Sequence, residues 1–293
     1  MSNSASKGSP KKKLLEKSAM APIMMPVAIV LLGSLLVFGI VKMLSTERSH
    51  RDLIREMESK TFGNRWVAAF ELSKLLARKS IPEKENQWVI ERLSKLYDRS
   101  NDARTKNFLI LALSTFKTQD ILPVLYKGLK DSDSQVQFNA VIGIGNMKVG
   151  TVYDWVPLME LMKAEDQGLK QVLMYTFSKH SVPGADLLME ADLKSSIPLT
   201  RYVAAISLIS YGNKKLGPVL KEILDLAMVD KAAPGQLRSD KVMALKLNVI
   251  NGVRKSNSNH YSALLQDALP KERNPKIEVK LKETIRLLLK NNS

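Results

Sequence analysis

Two stretches of this chain read almost alike: "RWVAAFEL" from Arg65 to Leu72 and "RYVAAISL" from Arg201 to Leu208. In each, a basic residue opens the phrase, a pair of alanines follows, and a leucine comes four residues after the first alanine. On a helix these small and large residues share one face. Alanine there lets a second helix approach closely, and leucine fills the space one turn on. A phrase repeated at a distance says that the chain builds one unit several times, and that constrains the fold more than any local propensity.

Laid in the same register, weaker copies follow: "RTKNFLILAL" from Arg104, "VQFNAVIGIG" from Val136 with Ala140 and Ile144, "KQVLMYTFSK" from Lys170, "KVMALKLNVI" from Lys241 and "EVKLKETIRLLL" from Glu278. They recur about every 31 to 40 residues, the range of paired-helix solenoids. Each copy follows another apolar-periodic segment, as at 86–98, 120–131, 154–166 and 217–228. Between the two helices stand turn and cap residues. Ser134 with Gln137, and Ser80 with Glu83, have capping-box spacing. No segment alternates with period two, so no sheet is expected. The expected class is all-α, with about seven helical hairpins over 45–293.

The pattern resembles the HEAT-repeat family, with armadillo-type solenoids as relatives of the same kind. The unit "DILPVLYKGLKDSDSQVQFNAVIGIGNM" carries the resemblance: Pro123 in the first helix, Asp131 and Asp133 in the turn, Val136 opening the second helix, then Ala140 and Ile144. Pro157 and Pro218 fall at comparable places. The resemblance implies stacked hairpins with a curved surface for extended or large partners, and no single activity. It also implies that the basic residue opening the second helix pairs with turn aspartates.

The N-terminal part reads differently. Residues 1–19 are polar, Ser-rich and basic, as in a disordered tail. From Met20 to Val41 run 22 residues without a charge, enough to cross a bilayer. No small-x-small cleavage site follows, so 20–44 is expected to be an uncleaved anchor rather than a signal peptide. Basic residues are nearly balanced about it. The contiguous Lys11–Lys13 favour a cytoplasmic N-terminus and an extracytoplasmic solenoid, periplasmic in a Gram-negative cell.

The absence of cysteine excludes disulfides, thiolate metal sites and cysteine nucleophiles. A net charge of +16 calls for anionic surroundings without choosing among them. The glycines of "AVIGIGNMKVG" match a dinucleotide loop at two places, but Lys148 stands where the third glycine belongs, and Gly145 reads as a helix stop. His50, His180 and His260 fall in different repeats, have no ligand-spaced partner and read as exposed polar residues. No catalytic motif, metal site or cofactor is expected. Trp66, Trp88 and Trp155 read as core.

Two basic sets are binding candidates. One opens the second helices: Arg65, Arg104, Lys170, Arg201 and Lys241, with Gln137 in the third unit. The other is C-terminal: Lys271, Arg273, Lys276, Lys280 and Lys282, in a stretch from Lys241 to Lys290 with 11 Lys and Arg against four acids. A solvated terminal face explains the second equally well. Nucleic acid is disfavoured, because no aromatics interleave with these charges. The function expected is a membrane-anchored, non-catalytic scaffold for a protein or envelope component. The alternatives are a cytoplasm-facing solenoid for an anionic partner and an enzyme built on the same repeats.

Overall fold

A computed structural model describes residues 48–59, 63–152, 154–229, 236–256 and 259–290. The expected tail (1–19) and the whole of the expected anchor (20–44) lie outside them. Residues from His50 onward form one compact unit. All regular structure among the described residues is helical, and fourteen α-helices pair as seven hairpins. The first helices are α1 (His50–Glu58), α3 (Asn86–Arg99), α5 (Leu122–Leu129), α7 (Val156–Leu161), α9 (Ala185–Glu190), α11 (Gly217–Leu224) and α13 (Ser262–Ala268). The second helices are α2 (Arg65–Ala77), α4 (Ala103–Leu113), α6 (Ser134–Gly145), α8 (Gln167–His180), α10 (Pro198–Ile209), α12 (Ser239–Ser256) and α14 (Pro275–Lys290). Each second helix packs on the next, from α2 through to α14, which makes the chain an α-solenoid.

The register residues explain the stack. Ala68, Ala69, Leu72, Ala140, Ile144, Ala204, Ala205 and Leu208 have no exposed surface. Close approach goes furthest at α6. A Cβ built on Gly145 would lie 2.6 Å from Thr176 Oγ1 of α8, and one on Gly143 would collide with Ser114 at the end of α4. Gly145 is therefore the last residue of a helix closely covered by α8. It is not a left-handed stop, and the glycine-rich stretch is helix, not a phosphate loop. Pro123, Pro157 and Pro218 sit in the first turns of α5, α7 and α11, where no intrahelical N–H is lost.

The caps differ from expectation. Asp133, not Ser134, caps α6, accepting from Gln135 and Val136 N–H at 2.9 and 3.0 Å. Gln137 reaches instead to the Asp131 carbonyl at 2.8 Å. Asp102 and Asp166 cap α4 and α8 in the same way. Ser80 caps nothing; a 3₁₀ turn over Glu83–Glu85 leads into α3. Aspartate prevails because its charged acceptor also meets the positive end of the helix dipole.

The far ends of the second helices share a turn. After α2, α8 and α10 a Schellman arrangement closes the helix, with Ser80, Val182 and Asn213 N–H bonding back to Leu75, Phe177 and Leu208. The left-handed residue is Lys79 (φ 53°), Ser181 (φ 51°) and Gly212 (φ 69°) respectively, and Lys117 (φ 54°) takes the same conformation after α4. A side chain in that conformation costs about 1 kcal/mol relative to glycine.

The expectation of a single-pass membrane protein with an extracytoplasmic solenoid is corrected. Among the described residues no helix is long and apolar enough to cross a membrane. The longest, α12, has 18 residues but carries Asp240, Lys241, Lys246, Arg254 and Lys255, because only one of its faces meets the core.

Candidate functional site

The two ends of the second helices both carry cations but differ in how these are partnered. At their beginnings the basic row makes local contacts. Arg201 bonds Glu222 of α11 at 2.7 and 3.3 Å and the Ser195 carbonyl at 2.7 Å. Hydrogen bonding to Arg201 holds the Glu222 carboxyl below its ordinary range. Lys170 lies 3.6 Å from Asp192 of the next unit. Arg65 donates to the Ser59 carbonyl at 3.0 Å. Arg104 is mostly exposed, 3.7 Å from Asp102 and 5.2 Å over the Trp66 ring. Lys241 is exposed and makes no ion pair among the described residues.

Sequence reasoning missed the cations that bridge units most firmly, because they lie two to five residues further along. Lys106 of α4 donates to Asp131 at 2.8 Å, and Tyr97 joins the same carboxylate at 3.0 Å. Burial works to raise the pKa of Asp131, but donors from Lys106, Asp133 and Tyr97 outweigh it and hold the acid ionised. Lys246 of α12 meets Glu272 at 2.9 Å, both side chains nearly sealed from solvent. Neither residue opens a helix, so the repeated phrase gave no sign of them.

The C-terminal set divides. Lys280 and Lys282 pair on their own helix with Glu283 and Glu278, and Lys271 pairs with Asp267. Arg273 and Lys276 are exposed without an ion pair among the described residues. Lys271 and Arg273 share a recess of about 590 Å³ with Met228 and Lys246.

The histidines do not converge. His50 faces Glu85, His260 touches the Lys214 carbonyl, and His180 is buried. His180 departs from the expected exposed role because it ends α8 against Trp155, ring centroids 5.0 Å apart, with Nε2 3.3 Å from the Gly145 carbonyl. Burial, then the Lys179 charge, lowers its pKa against the opposing hydrogen bond. The tryptophans are only partly buried. Trp88 carries Arg51 at 4.7 Å, and Trp88 and Trp155 lie over the core rather than at its centre.

A further recess, across several second helices, lies over α8, α10 and α12. A groove of about 340 Å³ is lined by Tyr175, Lys179, Ser207, Ser210, Asn248 and Lys255, among others. Its floor is open because the residues there are small: Gly252 meets Ile209, and Ser178 and Ser210 bond each other at 3.1 Å. Tyr175 is 62% exposed on its rim. Lys179 donates to the Gly145 carbonyl at 2.6 Å, supplying one of the carbonyls at the end of α6 with a donor.

No protein-family model matches the chain. No curated protein matches it significantly. Among solved structures it is similar to YibA of Escherichia coli, at 14% identity and a TM-score of 0.56 over 83% of each chain. It is also similar to the complex of CpcE and CpcF of phycocyanin lyase from Nostoc sp. PCC7120, at 13% identity and a TM-score of 0.53, over 82% of this chain and 94% of that one. A designed armadillo repeat protein matches 82% of the chain at 15% identity, with a TM-score of 0.41. At these identities the first two likenesses are likenesses of fold.

Proposed function

We propose that this chain is a non-catalytic, HEAT-like repeat scaffold that binds another protein through the surface of its second helices. The observation that carries this reading is the groove across α8, α10 and α12. It offers an exposed aromatic anchor, Tyr175, beside serine hydroxyls, an asparagine amide and two lysines. Aromatic anchors ringed by polar groups are where binding energy concentrates in protein interfaces. The dispersal of the histidines over the first, fourth and seventh units supports a binding role over acid–base catalysis, which needs converging groups.

The reading is tested by placing a photo-crosslinking amino acid at position 175, and separately at Glu91 on α3. Discrete protein adducts from position 175, absent from Glu91 and abolished by Ser207→Arg in the groove floor, are expected. Equal or absent labelling at the two positions overturns the reading.

A further inference from the structure

The far ends of the second helices carry a second basic row that the repeated phrase does not reveal. Lys79 follows α2, Lys117 follows α4, Lys148 follows α6, and Lys179 and Lys255 lie in the last turns of α8 and α12. Lys79 and Lys117 line one recess, and Lys179 and Lys255 line the groove described above. The charge of Lys117 acts on Lys179, whose pKa is lowered first by burial and then by that neighbour. The row therefore follows one edge from α2 to α8 and resumes at α12, with α10 contributing no member.

No carboxylate lies within ion-pair distance of any of these five lysines among the described residues, although Glu83 lines the first recess. The contrast is with Lys106, Lys170, Arg201 and Lys246, toward the other end, each joined to an acid of the following unit. Cations at helix C-termini complement the helix dipole, which explains a positive charge there. It does not explain Lys79 and Lys117 in left-handed turns, where glycine is the less strained residue. Retaining lysine at such positions is what a charge needed for binding would require.

We propose that Lys79, Lys117, Lys148, Lys179 and Lys255 form a track for an extended acidic polypeptide of the partner. Packed helices lie about 8–10 Å apart, and an extended chain in the polyproline II form advances about 3.1 Å per residue with three residues per turn, so acids at every third position would share one face and lie about one repeat apart. Serine hydroxyls and the Asn248 amide beside Lys179 and Lys255 suit a peptide backbone. A single exposed aromatic among the described residues and a row without arginine suit a nucleic acid poorly. The proposal rests on the reading of this face as the partner surface.

The test uses the full chain and a fluorescent 20-residue peptide with glutamate at every third position. Its controls are a peptide with the same glutamates clustered at one end and a 20-nucleotide oligothymidine. The spaced peptide is expected to bind at low salt, tighter than either control. Lys79→Gly/Lys117→Gly should weaken it at least tenfold while leaving the melting temperature unchanged or higher. Lys179→Gln/Lys255→Gln should do the same and serves if the first variant folds poorly. Arg104→Gln and Lys241→Gln should leave affinity within twofold. The proposal is overturned if the peptide does not bind, if the lysine variants bind it as well as the parent, or if oligothymidine binds more tightly. Loss of peptide binding with crosslinking from position 175 intact would overturn the acidic partner alone. Loss of both would overturn the partner surface itself.

Discussion

Lys246 and Glu272 meet at 2.9 Å where the sixth unit joins the seventh, with side chains only 7% and 6% exposed. Burial works against the Glu272 charge. The Asn274 N–H, Lys246 and the Arg273 N–H together outweigh it and keep the carboxyl below its ordinary range. Removing one partner leaves a buried charge without compensation. Glu272→Gln or Lys246→Met is expected to cost about 3 kcal/mol. Lys246→Met/Glu272→Leu should cost clearly less than the sum of the single changes. Denaturant unfolding of the four proteins of this cycle measures the coupling, and strict additivity would show that the pair does not act as one.

Gly145 sets the distance between α6 and α8. Alanine is the better helix former by about 1 kcal/mol, so propensity alone predicts that Gly145→Ala stabilises. The added Cβ would stand 2.6 Å from Thr176 Oγ1, and overpacking costs about 1–3 kcal/mol. Net destabilisation is expected, relieved by adding Thr176→Ala. Thermal melts of the single and double variants decide which effect wins.

His180 predicts an acid sensitivity. Its pKa is lower when folded than the 6.5 of a free imidazole, chiefly through burial. The unfolded chain therefore binds a proton that the folded chain resists. Stability from this group is fully present above pH 6.5 and falls as pH drops below it, levelling off below the folded pKa. His180→Gln, measured by unfolding between pH 7.5 and 5, should flatten that slope. An unchanged slope would place the acid sensitivity elsewhere.

Two arginines of the row that opens the second helices differ in weight. Arg201 makes three hydrogen bonds to Glu222 and Ser195 and is partly covered. Arg104 lies 3.7 Å from Asp102 with most of its side chain in solvent. Discounted for solvent screening, Arg201→Ala is expected to cost about 1 kcal/mol and Arg104→Ala only a few tenths. Chemical denaturation of the two variants checks the order, and a larger loss at Arg104 would refute it.

The repeated phrase made the second helices legible, since alanine at a fixed helical position has one physical use, letting another helix close in. Ala68, Ala140 and Ala204 could be assigned to the stack on that ground, and the hairpin count followed from the spacing. Caps were less legible. Ser134 and Asp133 are adjacent potential caps, and only the backbone path decides which one reaches the free N–H groups. The charges were harder still. Lys170 and Lys179 lie on the same helix and have the same chemistry. One faces Asp192 and the other faces Gly145 O with Lys117 nearby, a difference that depends on residues about 22 to 62 positions away.

The sequence by itself determined the helices, their pairing and the small-residue faces that stack them, because periodicity and side-chain size act locally and recur in each unit. Only the tertiary structure decided which cations are spent on carboxylates and which are left at an edge, and where small residues open a groove. Those are properties of neighbours brought together from different repeats. An ion pair or a close approach depends on distances of a few ångströms that the order of residues along one helix does not fix.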